Sequence, residues 1–553
     1  MKTVLIIGGY GQFGQRLSRR LASLSDIRVL VAGRNIKKAE ALCISVGGNL
    51  EAVFFDTYQD ITKQLSTLNP SIVVNAVGPF QTVFGADYAL ANACIDLHIH
   101  YLDLSDSGTF TKGIDQLDAR AKAAGITVIS GASSVPALSS AITDAAQLQF
   151  AKLDSIEGGI SPGGRIDIGL SVTQAVLSYL GKPLKVFRGG QWGDENGYSR
   201  VHKHTISIAN TAPLHRKFGL CDAPDLLLFP DHYSGVDTVR FFGSQELWII
   251  HISLRVLAWL HKKSWVKNLQ NRARFFQWWG TQLGRFASER GGMFMRFHGT
   301  DTHGKPQSLH WNLIASDGDG PFIPILACEI LIKKWLRDAP RSGARSAVSE
   351  ISLAEFEAEF RTLSILSAFT PMQPAPYLYE QVLGEGFKTL PPAVQAGHKV
   401  SCYKIMTGRV DIQRGTNPLT NLLANIIGFA KTRSDAPITI HMDVQDGKEV
   451  WTRIIDGKAF RSTLSKAPKP NEIYEQFGPI KFKMLFRIAN DKLHYDIVSA
   501  RVFSMPYPKF LLPKSVTHEC EENECEENSK FIFDVDISLP LLGRLIAYKG
   551  WLE

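Results

Sequence analysis

The chain has 553 residues, of which 44% are hydrophobic and 21% are charged, and its formal net charge is +8. This length exceeds what one core can serve, so we expect about two to four domains. The mild charge and the lack of a helix-turn-helix, zinc-finger or RNA-binding signature predict no nucleic-acid partner. Seven scattered cysteines argue against a disulfide framework, and no apolar run has the length of a membrane span. We therefore expect a cytoplasmic protein.

The chain begins with an apolar strand, a glycine-rich turn and a helix. Residues 4–7 are typical of a central parallel strand, and 15–24 repeat leucine at helical spacing. The sequence GYGQFG between them fits G-x-G-x-x-G, whose glycines allow a tight turn, close approach of a pyrophosphate and helix packing. We predict a dinucleotide-binding turn, with a bare strand–helix turn as the alternative. Its residues are Gly9, Tyr10, Gly11, Gln12, Phe13 and Gly14.

The second predicted strand, 28–32, ends in the sequence AGRN. About twenty residues after the third glycine, an NAD site places an acid for the ribose 2′-hydroxyl. Here the chain has Arg34, followed by Asn35. Because a cation suits a 2′-phosphate, we predict NADP as the cofactor, with NAD less favoured, and place both residues at its site. The alternative for Arg34 is a solvated strand end.

Predicted strands and helices alternate up to residue 132. Four further strands are predicted at 51–56, 71–80, 98–106 and 125–132. This alternation is typical of a doubly wound parallel sheet, an α/β fold. Ligands bind at the carboxyl ends of the strands in such sheets. This edge places Asn75, Gly78 and Pro79 close to the nicotinamide ribose.

Tyr101 and Asp103 are the candidate catalytic residues. Both lie at the carboxyl end of a predicted strand of the cofactor domain. The alternative is that they only fix the loop that follows this strand.

The motifs GGYGQFG, VAGR, VVNAVGPF followed by YLDLSD, and GASSVPALSSA together resemble the saccharopine dehydrogenase-like family of NAD(P)-dependent oxidoreductases. The resemblance implies a Rossmann domain at 1–132 and an α/β substrate domain at 133–345. In this family a last helix packs back onto the first, and 318–336 is similar to that segment. The implied reaction transfers a hydride between NADP(H) and a C=O, C=N or activated C=C group. Short-chain dehydrogenases are excluded, since no tyrosine up to Tyr198 has a lysine four residues later.

A basic and aromatic segment lies within 247–290. Between residues 255 and 290 it carries eight cations, Arg255, Lys262, Lys263, Lys267, Arg272, Arg274, Arg285 and Arg290, and one acid, Glu289. Aromatic residues such as Trp259, Trp265 and Trp278 lie among them. Such a composition is typical of a helix on an anionic membrane surface, which would place the protein on the cytoplasmic face. The alternative is a buried helical hairpin with a solvated basic face.

The last third of the chain has a different sequence pattern, with short alternating runs separated by turn dipeptides. Residues 346–370 are predicted as a linker, and 371–553 as an antiparallel-sheet α+β domain, with turns at Asp446-Gly447 and Asp456-Gly457 and a helix at 419–429. This region resembles an uncharacterised C-terminal domain of some bacterial saccharopine dehydrogenase-like proteins. By analogy, such a sheet with a helix would suit an apolar ligand.

The sequence also gives predictions about metals, the substrate and the oligomeric state. His518, Cys520 and Cys525 match no zinc spacing, so we predict no metal site. The substrate is expected to be a small or lipid-like molecule. The sequence leaves open whether the protein forms a homodimer. The function predicted is an NADP-dependent oxidoreductase, with a non-catalytic NADP-binding lipid-handling or sensor protein as the alternative.

Overall fold

The computed structural model describes residues 2–81, 87–167, 169–199, 201–266, 268–372, 376–445, 447–523 and 529–553. The chain divides into two compact units, Met1–Gln373 and Pro374–Glu553. Three residues named above, Lys267, Asp446 and Cys525, lie outside the described residues.

The described part of the first unit contains two β-sheets and the helices that cover them. Its strands, in chain order, are β1 (Lys2–Ile7), β2 (Ile27–Gly33), β3 (Leu50–Phe54), β4 (Ile72–Asn75), β5 (His100–Asp103), β6 (Thr127–Ser130), β7 (Lys152–Ser161), β8 (Pro183–Arg188), β9 (Gln191–Asn196), β10 (Val201–Ile206), β11 (Leu214–Leu220), β12 (Thr238–Gln245), β13 (Gly291–Thr300), β14 (Pro306–Ala315), β15 (Gly343–Ser346) and β16 (Ile365–Met372). Its α-helices are α1 (Gly14–Leu21), α2 (Ile36–Val46), α3 (Ile61–Leu68), α4 (Ala89–Asp96), α5 (Gly108–Gly113), α6 (Asp118–Ala123), α7 (Ser139–Gln147), α8 (Gly169–Tyr179), α9 (Asp225–His232), α10 (Trp248–Lys262), α11 (Ala273–Gly284), α12 (Ile323–Arg337) and α13 (Leu353–Phe360).

The first sheet is parallel, with the strand order β15-β6-β5-β4-β1-β2-β3. Its central strand β1 sends alternate side chains to opposite faces. Val4 packs in one core with Leu17 of α1, and Leu5 packs in another core with Leu90 of α4. Because both faces are covered by helices, the strand is a continuous apolar run rather than an alternating one. The predicted doubly wound parallel sheet is confirmed.

The second sheet is mixed, with the strand order β10-β11-β12-β7-β13-β14-β16; β8 also pairs with β12, and β9 pairs with β8. Strand β16 pairs with β14, and α13 buries Phe356 and Phe360 in the core of the first unit. The segment 346–370 therefore differs from the linker that we predicted. Its apolar side chains fill the core, and its strand completes the edge of the sheet.

Helix α12 packs back onto α1, which is the arrangement that the resemblance implies for 318–336. The two helices are joined through Glu329, whose side chain is 2% exposed. Arg20 Nε lies 2.6 Å from one carboxylate oxygen of Glu329, and Lys333 Nζ lies 2.8 Å from the other. Following α12, β15 adds the seventh strand to the parallel sheet by pairing with β6.

The described part of the second unit is an antiparallel sheet with three α-helices. Its strands are β17 (Tyr403–Arg414), β18 (Arg433–Gln445), β19 (Lys448–Ile455), β20 (Lys458–Lys466), β21 (Glu472–Phe477), β22 (Ile480–Ala489), β23 (Lys492–Val502), β24 (Met505–Pro506), β25 (Lys514–Asn523), β26 (Ser529–Leu539) and β27 (Gly543–Leu552). Its helices are α14 (Leu378–Leu383), α15 (Pro392–His398) and α16 (Pro418–Ile427).

The strand order of this sheet is β22-β21-β20-β19-β18-β17-β27-β26-β25-β23-β24. Strand β22 also pairs with β23, so the sheet closes on itself. Alternate residues of β18, namely Ile438, Ile440 and Met442, are buried inside, as the period of a strand requires. The predicted antiparallel domain is confirmed. Throughout the described ranges of both units, no helix has the length and apolar character needed to cross a bilayer.

The buried ion pairs of Glu329 give a testable prediction. Glu329→Ala should destabilise the first unit by about 2 kcal/mol, because Arg20 and Lys333 each lose a charged hydrogen-bond partner and keep only Glu359. Glu51→Ala is the control. Its partner Arg28 and Glu51 itself are 42% and 50% exposed, so the loss should stay below about 1 kcal/mol. Guanidinium unfolding followed by circular dichroism measures both, and equal losses would contradict the assignment.

Candidate functional site

The turn between β1 and α1 is fastened to the neighbouring strand by its backbone. The N–H groups of Gly8 and Gly9 both donate to the carbonyl oxygen of Ala32, at 2.9 and 3.1 Å. The N–H group of Gly11 donates to the oxygen of Gly8 at 2.8 Å. These bonds place the glycine turn at the carboxyl end of β2.

The three glycines of the motif meet different surroundings. A Cβ atom on Gly9 would lie 2.9 Å from the oxygen of Ile6, and one on Gly14 would overlap the oxygen of Gly8. A Cβ atom on Gly11 would meet only the oxygen of Gly8, at 3.1 Å, with open space beyond it. Gly9 and Gly14 are thus required by packing, whereas Gly11 leaves one side of the turn accessible.

Helix α1 begins at Gly14, directly behind the open turn. Its N-cap residue Phe13 makes no side-chain capping bond, and its first turn contains no acidic residue. The first N–H groups of a helix have no partner within the helix, and the helix dipole favours an anion there. The turn and the helix together can therefore hold a phosphate group.

Tyr10 joins the glycine turn to the segment after β2. Its ring covers Gly33, where a Cβ atom would touch the ring, and its hydroxyl accepts a hydrogen bond of 3.0 Å from the N–H of Asn35. The side chain of Asn35 caps α2 by accepting from the N–H of Lys38. This contact brings the end of β2 alongside the turn.

Arg34 lies at this end of β2 and is exposed. Its guanidinium group lies over the ring of Tyr58, 5.6 Å from the ring centre. An exposed cation at this position, beside a turn that is open at Gly11, fits a dinucleotide whose ribose carries a 2′-phosphate. The residues present therefore fit NADP.

Asn75 and Gly78 lie at the carboxyl end of β4. Asn75 is 1% exposed, its Nδ2 donates to the hydroxyl of Tyr101 at 3.2 Å, and its Oδ1 accepts from the N–H of Val77. The oxygen of Gly78, which precedes the cis proline Pro79, accepts a 3.2 Å bond from Ser171 of α8. The amide of Asn75 thus orders the segment that leads to Gly78 and Pro79.

Tyr101 and Asp103 are buried inside the parallel sheet, at 1% and 0% exposure. Asp103 Oδ1 accepts hydrogen bonds from the N–H of Ser105, the hydroxyl of Ser130 and the N–H of Gly131, at 2.8 to 2.9 Å. Burial raises the pKa of Asp103 to about 6, and these hydrogen bonds act in the opposite direction. This geometry favours the loop-fixing alternative over a catalytic role for the pair.

Residues of the substrate domain come close to the glycine turn at the start of α8. Asp167 accepts a 3.2 Å hydrogen bond from Gln12 of the turn and a 3.1 Å bond from Gln277 of α11. A Cβ atom on Gly169 would lie 2.9 Å from the side chain of Gln12. No pattern in the sequence pointed to Asp167, because its partners are more than a hundred residues away on each side.

Two partly buried acids form a second group, beyond the carboxyl end of β5. Asp106 accepts a 3.0 Å hydrogen bond from Gln81, and burial raises the pKa of Asp106. Asp222, after β11, has a pKa raised to about 7, first by burial and then by the charge of Asp106. Tyr179 lies within reach of both charges, and burial raises the pKa of its hydroxyl. With a pKa of about 7, Asp222 keeps its proton in about half of the molecules at neutral pH.

The members of the acidic group lie in the loops after β5 and β11 and at the end of α8. Asp106 ends the motif YLDLSD, so its strand position was a usable signal. Asp222 and Tyr179 carry no such signal in the sequence. Only the packing of the two sheets brings these two residues close to Asp106. Within the described residues no group of three potential ligands could hold a metal ion.

Two family models match the chain. Residues 4–129 match the saccharopine dehydrogenase NADP binding domain. Residues 390–552 match a domain of unknown function, DUF4166. The resemblance drawn from the motifs and the predicted NADP cofactor are confirmed. No curated protein matches the chain significantly.

Several solved structures are similar to the chain. Saccharopine dehydrogenase (L-Glu forming) from Saccharomyces cerevisiae is 15% identical over 67% of this chain and 100% of its own, with a TM-score of 0.46. A meso-dapdh mutant with DAP from Clostridium tetani is 13% identical over 66% of this chain and 99% of its own, with a TM-score of 0.32. GenD2 from gentamicin A biosynthesis, in complex with NAD, is 12% identical over 56% and 71%, with a TM-score of 0.27.

The different surroundings of the glycines can be tested by substitution. Gly11→Val should weaken NADPH binding at least about hundredfold with little loss of stability, because its side chain would fill the phosphate position. Gly14→Val should also lower the free energy of unfolding by several kcal/mol, because its Cβ would overlap the oxygen of Gly8. NADPH fluorescence titration and urea unfolding measure the two effects.

Gly193→Val is the matched control, since a Cβ atom there meets nothing within 4 Å. It should leave NADPH binding and unfolding unchanged. Normal NADPH binding by Gly11→Val would refute the assignment of the turn.

Proposed function

We propose that the protein is an NADPH-dependent oxidoreductase of the saccharopine dehydrogenase-like type. The observation that carries the proposal is the exposed Arg34 beside a glycine turn that is open at Gly11. The match of residues 4–129 to the NADP-binding family model supports it. NADPH, when bound, supplies a hydride for a C=O, C=N or activated C=C group of the substrate.

In this proposal the residues of the cofactor domain bind and orient the dinucleotide. The N–H groups of the turn would hold the pyrophosphate at the N-terminal end of α1, with Gly9, Gly11 and Gly14 allowing the approach. Arg34 pairs with the 2′-phosphate through charge-assisted hydrogen bonds. Gly78, whose oxygen accepts a hydrogen bond from Ser171, would help to form the site for the nicotinamide ribose.

The acidic group supplies the proton that a reduced C=O or C=N group requires. Asp222 suits this step because its pKa is raised to about 7, close to the pH at which a general acid works best. The negative charge that Asp106 and Asp222 carry when ionised disfavours a substrate with several carboxylates. We therefore propose a neutral or cationic substrate, with Tyr179 as a buried hydrogen-bond donor beside it.

The role of Arg34 predicts the cofactor preference. NADPH should bind at least tenfold more tightly than NADH, since charge-assisted hydrogen bonds to a phosphate contribute about 1.5–3 kcal/mol. Arg34→Ala should remove most of this difference by weakening NADPH binding alone. Fluorescence titration of both cofactors measures it. Arg28→Ala, on the same strand but paired with Glu51, should leave both affinities unchanged.

Equal affinities for the two cofactors in the unaltered protein would overturn the NADPH assignment.

The role of Asp222 predicts a pH dependence. With a panel of aldehydes, ketones and imines, kcat/KM for NADPH oxidation should fall as the pH rises above about 7, because the acid loses its proton. Asp222→Asn should lower kcat/KM about hundredfold and remove this limb of the profile. Asp231→Asn, an exposed residue of α9, should change neither.

An unchanged pH profile in Asp222→Asn would refute its role. Tight NADPH binding without turnover of any compound in the panel would favour the non-catalytic NADP-binding alternative.

A further inference from the structure

Helix α10 has apolar side chains on its solvent-facing side. Trp248, Ile249, Ile252, Val256 and Trp259 recur at helical spacing and are 40% to 62% exposed. The opposite face packs into the first unit through three buried residues, His251, Leu254 and Ala258. An ordinary surface helix turns a polar face to water. The outer face of α10 therefore exposes large apolar side chains that an ordinary surface helix would bury.

The exposed apolar surface continues beyond the end of α10. Trp265 is 69% exposed, and its ring meets the ring of Trp259 edge-on, with 5.2 Å between the ring centres. On α11, Phe275 and Trp278 are 58% and 59% exposed, and Trp279 is half-buried. These exposures do not fit the buried hairpin that was the alternative for this segment. We call the outer faces of α10 and α11, together with Trp265, the α10–α11 surface.

Cations lie among these apolar side chains. Six of them are exposed, namely Arg255, Lys262, Lys263, Arg272, Arg274 and Arg285. Within the described residues none of the six makes an ion pair, whereas Glu289, the single acid between residues 255 and 290, lies 3.8 Å from Arg165. The surface therefore combines exposed tryptophans with a positive charge that no acid among the described residues neutralises.

We propose that the α10–α11 surface docks on a lipid bilayer that carries anionic headgroups. Tryptophan rings prefer the headgroup level of a bilayer, and lysine and arginine pair with lipid phosphates there. A second copy of the chain would present the same positive charge and repel this one. A small apolar ligand would have no use for six cations. Charge and apolar exposure together thus point to one occupant.

Vesicle sedimentation with the full-length protein tests the proposal. The probes are vesicles of phosphatidylcholine alone and vesicles with equal parts of phosphatidylglycerol and phosphatidylcholine. We expect binding to the anionic vesicles, strongly weakened between 0.1 and 1 M salt, since the Debye length falls from about 10 Å to about 3 Å. Insertion of the tryptophans should leave a smaller fraction that salt does not remove.

Two variants separate the apolar and ionic parts. Trp259→Ser with Trp265→Ser should remove the salt-resistant fraction, and Lys262→Glu with Lys263→Glu should lower binding at low salt at least about twentyfold. The matched controls are Phe510→Ser, at an aromatic residue that is 78% exposed elsewhere, and Lys448→Glu with Lys458→Glu. Both controls should bind as the unaltered protein does. Circular dichroism verifies that each variant is folded.

Three results would overturn the proposal. The first is no sedimentation with anionic vesicles at low salt. The second is unchanged vesicle binding by both surface variants in their folded form. The third is a concentration-dependent dimer in light scattering that the tryptophan variant abolishes while vesicles bind nothing, which would assign the surface to a second copy of the chain.

Discussion

Close backbone packing between the glycine turn and α1 is the constraint on which the first unit depends. Because Gly14 has no side chain, α1 can start against the carbonyl oxygen of Gly8, while Ala32 holds the other side of the turn. The position of α1 then sets the position of Arg20, which pairs with Glu329 of the returning helix α12. Strand β15 follows that helix into the parallel sheet. One tight turn thus supports both the candidate phosphate site and the connection that closes the unit.

Helix α8 relates the three functional regions of the first unit to one another. It begins at Gly169 beside Gln12 of the glycine turn, and it ends at Tyr179 in the acidic group. Just beyond it, a Cβ atom on Gly181 would touch Ala258 of α10. A helix of eleven residues is about 16 Å long, so the glycine turn and Ala258 of α10 lie at opposite ends of α8, whereas Gln277 of α11 contacts Asp167 at the same end as the glycine turn.

Local sequence rules are sufficient to predict the parts of the candidate site that lie within one segment. The strand, turn and helix around Gly11 and the cation at Arg34 lie within one segment, whose periodicity and glycine spacing are visible without the fold. They were insufficient for Tyr101 and Asp103. The strand end was correctly predicted, but the direction of these side chains depends on which loops pack above them. Asp103 accepts hydrogen bonds from the N–H groups of Ser105 and Gly131. Because Gly131 is 28 residues away, a local sequence pattern does not predict this arrangement.

The amino-acid sequence by itself determined the parallel sheet, the NADP-binding turn, the antiparallel character of the last third and the basic aromatic composition of 247–290. Each of these depends on periodicity or composition over a few residues. Only the tertiary structure decided that Asp106, Asp222 and Tyr179 meet, that β22 closes onto β23, and that the apolar face of α10 is turned outward. The first two features depend on contacts between elements that are far apart in the sequence. The third depends on which face of α10 packs against the rest of the unit. The periodicity of a single segment specifies none of these contacts.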